Sequence, residues 1–360
     1  MTPVNEAILM LGANRVWRTY QGGRILDEIE GKSVPEDTHF PEDWIGSLTA
    51  AKNPDREFGE EGISRVTRSN GESILLTELI AENPSYYLGQ EHYDVFGLET
   101  RILTKFLDSA IRLHFQVHPT ASFSEQFLGC TSGKTEAYFI LAIREGTKNP
   151  YIYAGFQRPP ERADLKGWIE NQEIDSIEAC FDKIPVKPGD VFLIPGGFPH
   201  ALGEGILMVE LMEASDLAVR FEFERGGFVL PEEARFLGKD LDFALTVFDH
   251  TPVVAEKFQC HPEVIRQFPD GSEQRLFIGK EHTNCFFARE TLVKKEITKE
   301  ESEFHIVIVT EGEGRMTIGE RSWDLKLYDR FFVSAACGPI TFETSEGLRL
   351  LECSPPDPKK

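Results

Sequence analysis

The chain has 360 residues, of which 41% are hydrophobic, and this length exceeds the usual size of one hydrophobic core, so two domains are expected. Its 60 acidic against 38 basic residues give a net charge of −22, which disfavours binding to nucleic acid or to an anionic membrane surface. An anionic substrate would need a local cluster of basic side chains, because the overall field opposes it.

The N-terminus and the cysteines predict a cytoplasmic protein. No basic start followed by an apolar run marks a signal peptide, and no apolar run approaches the about 18 residues that a membrane span needs. The six cysteines are scattered without a C-x-x-C pair. This distribution is typical of free thiols in a reducing compartment.

The N-terminal two thirds of the chain mix helical and strand patterns. Residues 1–70 predict irregular structure with a few short strands, and helices are expected between about 73 and 108, interrupted at Pro84 and Gly97. Predicted next are strands at 113–118 and 136–143 and in PYIYAGF, a helix at about 160–182, strands at 190–195, 206–213 and 217–223, and a helix at 231–249.

Beyond about residue 255 the pattern changes to short, evenly spaced apolar segments such as FHIVIVT, RFFVSA and LRLLEC. Glycine and charged turns separate these segments, which predicts a small all-β barrel or sandwich.

The segment LHFQVHPT, residues 113–120, carries polar residues at every second position. As a strand it directs His114, Gln116 and His118 to one side and Phe115 and Val117 to the other. Two imidazoles and a carboxamide on one face suit either a hydrogen-bonded core or a metal site.

The segment GKTEAYFIL places Glu136 in an apolar strand, with Lys134 and Tyr138 on the same face. An unpaired buried charge costs several kcal/mol, so this carboxylate needs a partner. Lys134 and a metal ion are the two candidates.

The segment PGDVFLIPGGFPHALGEG has the spacing G-x5-P-x-G-x2-H from Gly189 to His200. This spacing resembles the second motif of cupins, whose histidine binds a metal inside a small β-barrel. Cupins pair it with an H-x-H and a later glutamate, and Gln116, His118 and Glu136 stand at those positions here.

Gln116, His118, Glu136 and His200 are therefore predicted to bind one divalent metal, with water in an open position. The absence of a thiol favours Zn²⁺, while manganese, cobalt, nickel and iron stay open. His114 is expected in the pocket wall or as a supporting group rather than as a fifth ligand.

The segment VELMEASDLAVRFEFER, residues 209–225, places Arg220 on one strand face with Glu222 and Glu224. Two interpretations are open for this arginine. It either pairs with these glutamates or supplies positive charge to a functional site.

Together these motifs resemble the type I phosphomannose isomerases (mannose-6-phosphate isomerases), which are zinc aldose–ketose isomerases built from cupin barrels. The resemblance implies a mainly β fold with two cupin-type (jelly-roll) β-barrels and an added helical element. We expect a catalytic metal-binding domain with helical insertions at 1–255 and a degenerate cupin-like barrel at 256–360. His305 stands alone in FHIVIV, so this second barrel has lost its metal site and is structural or shapes the substrate pocket.

Individual residues follow from the resemblance motif by motif. LTKFLD is similar to the family's T-K-x-L-D, GKTE matches directly, and EASDLAVR resembles N-S-D-x-x-x-R. Trp17 stands at the family's early W-G-G region. The implied catalytic residues are Arg220, Lys134 and Asp216, and the implied substrate-binding residues are Lys105, Lys134, Trp17 and His114.

The resemblance implies interconversion of mannose 6-phosphate and fructose 6-phosphate through an enediolate. A metal polarises the carbonyl, and Arg220 stabilises the charge that develops on oxygen. Lys134, Asp216 and a metal-bound water are all open as the base.

Two departures bear on the substrate. His114 stands where the family has a serine that helps to hold the phosphate, and Ala214 replaces the asparagine of N-S-D. Two alternatives therefore stay open. One is a cupin metalloenzyme that acts on another sugar, phosphorylated or not, and the other is a non-catalytic sugar-phosphate-binding module.

Overall fold

The computed structural model describes residues 7–53, 56, 59–68 and 70–359. These residues form two antiparallel β-barrels, each of which combines a seven-stranded sheet with a smaller sheet. The predicted mainly β, cupin-type fold is confirmed. Residues 1–6, which belong to the N-terminal segment in which no signal peptide is predicted, lie outside the described residues.

The first barrel holds the candidate site. Its large sheet contains, in spatial order, Gln259–Cys260, Val191–Ile194, Glu136–Ile143, Ile206–Glu213, Ile102–Asp108, Glu42–Ile45 and Arg15–Val16. Its small sheet contains Ile184–Pro185, Tyr151–Ala154, His200–Leu202, Gln116–Val117 and Val219–Arg220. Apolar side chains from both sheets fill the barrel, among them Ile140 and Ile152.

The second barrel repeats this arrangement. Its large sheet contains Ile8–Met10, Arg330–Val333, His305–Gly312, Leu348–Ser354, Phe287–Val293, Glu273–Ile278 and Glu263–Gln267. Its small sheet contains Glu296–Lys299, Ile340–Glu343, Gly314–Ile318 and Arg321–Leu325. Val307 and Phe342 are among the side chains that fill it.

The helices are short and lie outside the barrels. They span Arg24–Ile29, Leu76–Glu82, Pro84–Tyr87, Gln90–Phe96, Ala121–Phe127, Arg162–Asn171, Ile174–Glu178 and Leu241–Ala244, with 3₁₀ turns at Glu232–Ala234 and Ala255–Phe258. Two hairpins pair Arg65–Thr67 with Ser73–Leu75 and Glu224–Arg225 with Phe228–Val229. Leu165 and Ile177 pack on the outer face of the small sheet of the first barrel, which agrees with the expected helical element.

The two large sheets pack back to back. One apolar cluster joins Phe139 and Val209 of the first barrel to Ile306 and Leu351 of the second. Burying this shared surface stabilises both barrels at once.

Two strands cross the proposed domain boundary at residue 255. Ile8–Met10 pairs with Arg330–Val333 in the second barrel, and Gln259–Cys260 pairs with Val191–Ile194 in the first. The division into 1–255 and 256–360 therefore stays a proposal.

Two helix predictions are wrong. LETRILTKFLDSA contains the strand Ile102–Asp108, because all seven strand residues, the polar ones included, are buried, and a strand covered on both faces need not alternate apolar with polar residues. Most of 231–249 is not α-helical, and Leu237 and Gly238 have φ of 58° and 71°, which interrupts a right-handed helix.

Among the described residues, no helix combines the length and apolar character that crossing a membrane requires. All six cysteines are free thiols, as expected.

Candidate metal centre and active site

His118, Glu136 and His200 meet inside the first barrel. His118 follows the strand Gln116–Val117, and the other two residues begin strands of the large and the small sheet. The Nε2 atoms of His118 and His200 lie 3.1 and 3.3 Å from the carboxylate oxygens of Glu136. The three side chains are buried, and their ligand atoms all lie within 4.8 Å of one another.

Backbone contacts orient both imidazoles toward Glu136. Nδ1 of His118 donates to the carbonyl oxygen of Leu217 at 2.7 Å, and Nδ1 of His200 donates to that of Phe198 at 2.9 Å. Each neutral ring therefore keeps its Nε2 lone pair for a cation. Burial, followed by the charge of Lys134, lowers the pKa of His118 to about 3. Two neutral imidazoles and a carboxylate are donors that fit Zn²⁺.

Gln116 lies beside this cluster, opposite His200 in the sheet. Its carboxamide nitrogen is 3.3 Å from Nε2 of His200. Because the two ends of an amide exchange places by a half-turn about χ3, Oε1 can face the same point. The fourth ligand thus stays a prediction that this position supports.

Lys134 contacts the same ligand atoms. Its ammonium is 3.0 Å from Nε2 of His118 and donates to Oε1 of Glu136, while the hydroxyl of Tyr138 donates to Oε2 at 2.7 Å. Burial raises the pKa of Glu136, but the charge of Lys134 together with the contacts of His118 and His200 outweighs burial and holds this pKa well below its usual value. The predicted pairing of Lys134 with Glu136 is present. A bound metal would use the same lone pairs, on Nε2 of His118 and Oε1 of Glu136, that Lys134 contacts in this structure.

Arg220 makes no ion pair with a carboxylate among the described residues. Its side chain donates to the carbonyl oxygen of Ala234 at 3.2 Å, and burial lowers the pKa of its guanidinium. Glu222 instead pairs with Arg112, at 2.6 and 2.9 Å, and Glu224 is exposed. Of the two interpretations, the structure favours the one in which Arg220 supplies charge to the site.

Asp216 is held by Arg18. Its two carboxylate oxygens lie 3.0 and 3.1 Å from the guanidinium nitrogens, and the backbone N–H of Lys52 donates to it at 2.9 Å. Burial raises the pKa of Asp216, but the charge and hydrogen bonds of Arg18, with the charges of Lys134 and Arg220, together outweigh burial, so the pKa lies below its usual value. This carboxylate is a weak base that is already fully hydrogen-bonded.

Lys105 lies on the buried strand Ile102–Asp108 between two carboxylates. Its ammonium is 3.1 Å from Glu42 and 3.2 Å from Glu210, and their charges outweigh burial and raise the pKa of Lys105. Burial, followed by the charge of Glu136, raises the pKa of Glu210 to about 8.

Sequence reasoning missed three members of this buried network: Arg18, Glu42 and Glu210. Glu210 carried a usable signal, since a carboxylate inside ILMVELME needs a partner for the same reason as Glu136. Arg18 and Glu42 stand in a region of weak periodicity, so no local pattern indicated them.

The other two predicted substrate residues differ in position. His114 is buried, and its Nδ1 is 3.0 Å from the carbonyl oxygen of Glu222. Trp17 stacks on His39 with ring centroids 5.3 Å apart and contacts Phe228 edge-on. It does not line the cavity described next.

A polar cavity brings most of the predicted residues together. Its wall includes Gln116, Lys134, Arg220, His114, Lys105 and Asp216. An adjoining cleft of about 620 Å³ shares Arg220 and Asp216 with this cavity and adds Lys52 and Arg56. We call the first space the polar cavity and the second the outer cleft. The polar cavity is small, about 40 Å³, and adjoins the candidate metal ligands through Gln116 and Lys134, while the outer cleft has room for a small ligand.

No protein-family model matches the chain. It is 27% identical to a mannose-6-phosphate isomerase of Bacillus subtilis over 282 residues, which cover 76% of this chain and 83% of that protein. A crystal structure of a mannose 6-phosphate isomerase from Bacillus subtilis superposes with a TM-score of 0.73 at 22% identity, covering 96% of this chain and 99% of that one.

A zinc-bound mannose 6-phosphate isomerase superposes with a TM-score of 0.71 at 18% identity, and the match covers 97% of this chain and 100% of that one. These two solved structures share the two-barrel fold of this chain over nearly its whole length.

Proposed function

We propose that the chain is a member of the type I phosphomannose isomerase family and a metal-dependent aldose–ketose isomerase that interconverts mannose 6-phosphate and fructose 6-phosphate through an enediolate, which its similarity to mannose-6-phosphate isomerases supports. One observation carries the proposal. The donor atoms of His118, Glu136 and His200 converge beside a cavity that also receives Lys134 and Arg220. Metal binding alone requires neither cation.

We propose that His118, Glu136 and His200, with Gln116 as fourth ligand, hold Zn²⁺. When bound, the metal supplies a Lewis acid that polarises the carbonyl of the substrate. The buried walls around these ligands lower the local dielectric, which strengthens every charge interaction in the cavity.

Arg220 is placed to stabilise the oxygen charge of the enediolate. Its guanidinium faces the polar cavity without a carboxylate partner among the described residues, so its charge is available to the substrate. Preorganised charge of this kind acts in the transition state without the cost of reorganising solvent.

Lys134 is the better placed of the two side chains proposed to move the proton. Arg18 contacts both carboxylate oxygens of Asp216. Because contacts with a cation favour the ionised form of a carboxyl group, Asp216 is a poor proton acceptor. Lys134 lines the polar cavity directly beside the ligand set. We therefore propose that Lys134, after its ammonium has released a proton to solvent, accepts the carbon-bound proton from one of C1 and C2 as a neutral amine and returns it to the other.

The outer cleft is proposed to receive the phosphate. Lys52, Arg56 and Arg220 line it together with Asp216 and Glu233, and Arg56 lies 3.5 Å from Glu61, so Lys52 and Arg220 are the cations proposed to attract an anion in a chain whose net charge is −22. We further propose that the protein acts in the cytoplasm, which its six free thiols support.

The test is proton exchange in D₂O. Zinc-loaded protein is expected to convert mannose 6-phosphate to fructose 6-phosphate and to wash solvent deuterium into the substrate at C1 or C2, as followed by NMR. The His200→Ala variant, which lacks a ligand, serves as the control and should do neither. Binding of the sugar phosphate without exchange would identify a binding module instead.

A further inference from the structure

His114 presents a buried hydrogen-bond acceptor to the polar cavity, and no step proposed above uses it. The residue is 3% exposed and lines the cavity beside Gln116 and Arg220. Its Nδ1 is engaged with the carbonyl oxygen of Glu222 at 3.0 Å. Its Nε2 is buried and has no hydrogen-bond partner among the described residues.

The contact of Nδ1 with Glu222 determines whether Nε2 of His114 acts as a hydrogen-bond donor or acceptor. A carbonyl oxygen accepts only, so Nδ1 carries the proton and Nε2 of the neutral ring carries a lone pair. Nε2 is therefore an acceptor whose partner has to come from a molecule in the cavity.

We propose that His114 is a specificity-determining residue that accepts a hydrogen bond from a hydroxyl of the sugar. The inference rests on the proposed function and adds to it the chemistry of one subsite. Phosphate oxygens are acceptors at neutral pH and would face the Nε2 lone pair unfavourably, whereas a sugar hydroxyl is a donor. The position therefore selects a hydroxyl rather than the phosphate.

The chemistry of the substrate indicates which hydroxyls qualify. His114 stands two residues before Gln116, the proposed fourth ligand, and lines the same cavity. The oxygens at C1 and C2 take part in the reaction and the oxygen at C6 carries the phosphate, which leaves hydroxyls such as those at C3 and C4 for this contact. We assign the contact to the hydroxyl at C3 or C4.

Two substitutions distinguish the roles of the two ring nitrogens of His114. In His114→Asn the amide N–H stands near the position of Nδ1 and keeps the contact with Glu222, while the acceptor at Nε2 is removed. In His114→Gln the longer amide retains an acceptor near the position of Nε2. Both variants are first checked for folding by circular dichroism and for bound zinc by elemental analysis.

The substrates are mannose 6-phosphate and its 3-deoxy and 4-deoxy analogues. The native protein is expected to lose about 10-fold in kcat/KM on one analogue, the loss that one neutral hydrogen bond produces. His114→Asn should lose about 10-fold on mannose 6-phosphate and discriminate little against that analogue, while His114→Gln should retain the discrimination.

A matched control is His92→Gln. His92 is also buried with one ring nitrogen on a backbone carbonyl, that of Glu99 at 2.7 Å, and with its other nitrogen unpartnered, but it packs on Phe304 away from the polar cavity. This variant should discriminate as the native protein does. Equal discrimination by the native protein and His114→Asn on both analogues would overturn the inference. A native protein that isomerises no sugar phosphate would instead overturn the proposed function.

Discussion

At the scale of single residues, partners decide which charges are available for chemistry. Asp216 and Arg220 lie four residues apart in one motif, yet Arg18 binds both oxygens of Asp216, while Arg220 has only a carbonyl partner among the described residues. This difference in partners supports the proposal that Arg220 acts on the substrate, whereas the charge of Asp216 is engaged by Arg18.

Replacing Arg220 tests this difference. Arg220→Ala should lower kcat by about 10²–10³, because a charge used in the transition state is lost. Bound zinc and KM should stay near their native values, since Arg220 contacts no predicted ligand other than its strand neighbour Gln116. Steady-state kinetics with elemental analysis measures both.

Arg225→Ala is the control for this prediction. Arg225 belongs to the same stretch of chain but lies 3.6 Å from Glu222 and does not line the polar cavity. It should keep native kcat. Near-native turnover of Arg220→Ala on mannose 6-phosphate would show that the guanidinium is not part of the catalytic machinery.

At the scale of elements, each barrel encloses a buried lysine–glutamate pair. Lys299 and Glu352 form an ion pair inside the second barrel, where Thr291 donates to Glu352 at 2.6 Å and Gln274 donates to its other oxygen at 3.2 Å. This pair resembles Lys134 and Glu136 of the first barrel. No His, Cys, Asp or Glu cluster suited to a metal accompanies it among the described residues.

A double-mutant cycle measures how this pair stabilises the second barrel. Lys299→Met should lower the free energy of unfolding by about 3–5 kcal/mol, because it leaves a buried carboxylate unpaired. The double variant Lys299→Met with Glu352→Leu should recover much of that loss, since no unpaired charge remains. Urea unfolding gives the four values. Additive single losses would show that the two charges do not interact.

The same pair predicts a dependence on pH. Burial raises the pKa of Glu352, but the charge of Lys299, together with that of His305 and the hydrogen bonds from Lys299 and Thr291, outweighs burial and lowers this pKa from 4.5 to about 2. For a lowered carboxyl pKa, the stabilisation is present above the unfolded value and is lost as pH falls through the folded one. The free energy of unfolding should therefore fall between about pH 4.5 and 2, and fall less steeply in the double variant.

At the scale of the whole molecule, the two barrels share one apolar interface. Side chains such as Phe139 and Leu351 belong to the same buried cluster, and Ile8–Met10 completes a sheet of the second barrel from the N-terminal end of the described chain. Stabilising the first barrel should therefore stabilise the second as well.

Zinc binding tests this coupling together with the ligand set. Zinc at about 100 times its Kd should add about 2.7 kcal/mol to the stability of metal-free protein and shift a single thermal transition, as followed by calorimetry. His200→Ala should lose the shift. His250→Ala should keep it, because His250 contacts the carbonyl oxygen of Pro160 and belongs to no ligand cluster. A second transition that zinc leaves unmoved would show that the barrels unfold independently.

The sequence by itself determined the fold class and predicted a set of metal ligands, of which the structure brings His118, Glu136 and His200 together. Alternation along 113–118 and 136–143 fixes which side chains share a face, and the spacing from Gly189 to His200 fixes a turn between two strands. These are local constraints of backbone geometry, so they are readable without the tertiary structure.

Only the tertiary structure decided which charged side chains pair and which fully buried segments form strands. Ile102–Asp108 became a strand because sheets cover it on both sides, and a fully buried strand lacks the alternation that identifies strands in sequence. Arg18 reaches Asp216 across 198 positions, and Glu222 binds Arg112 rather than its strand neighbour Arg220. Charge pairing depends on distances of a few ångströms between segments remote in sequence, and only the folded barrel sets those distances.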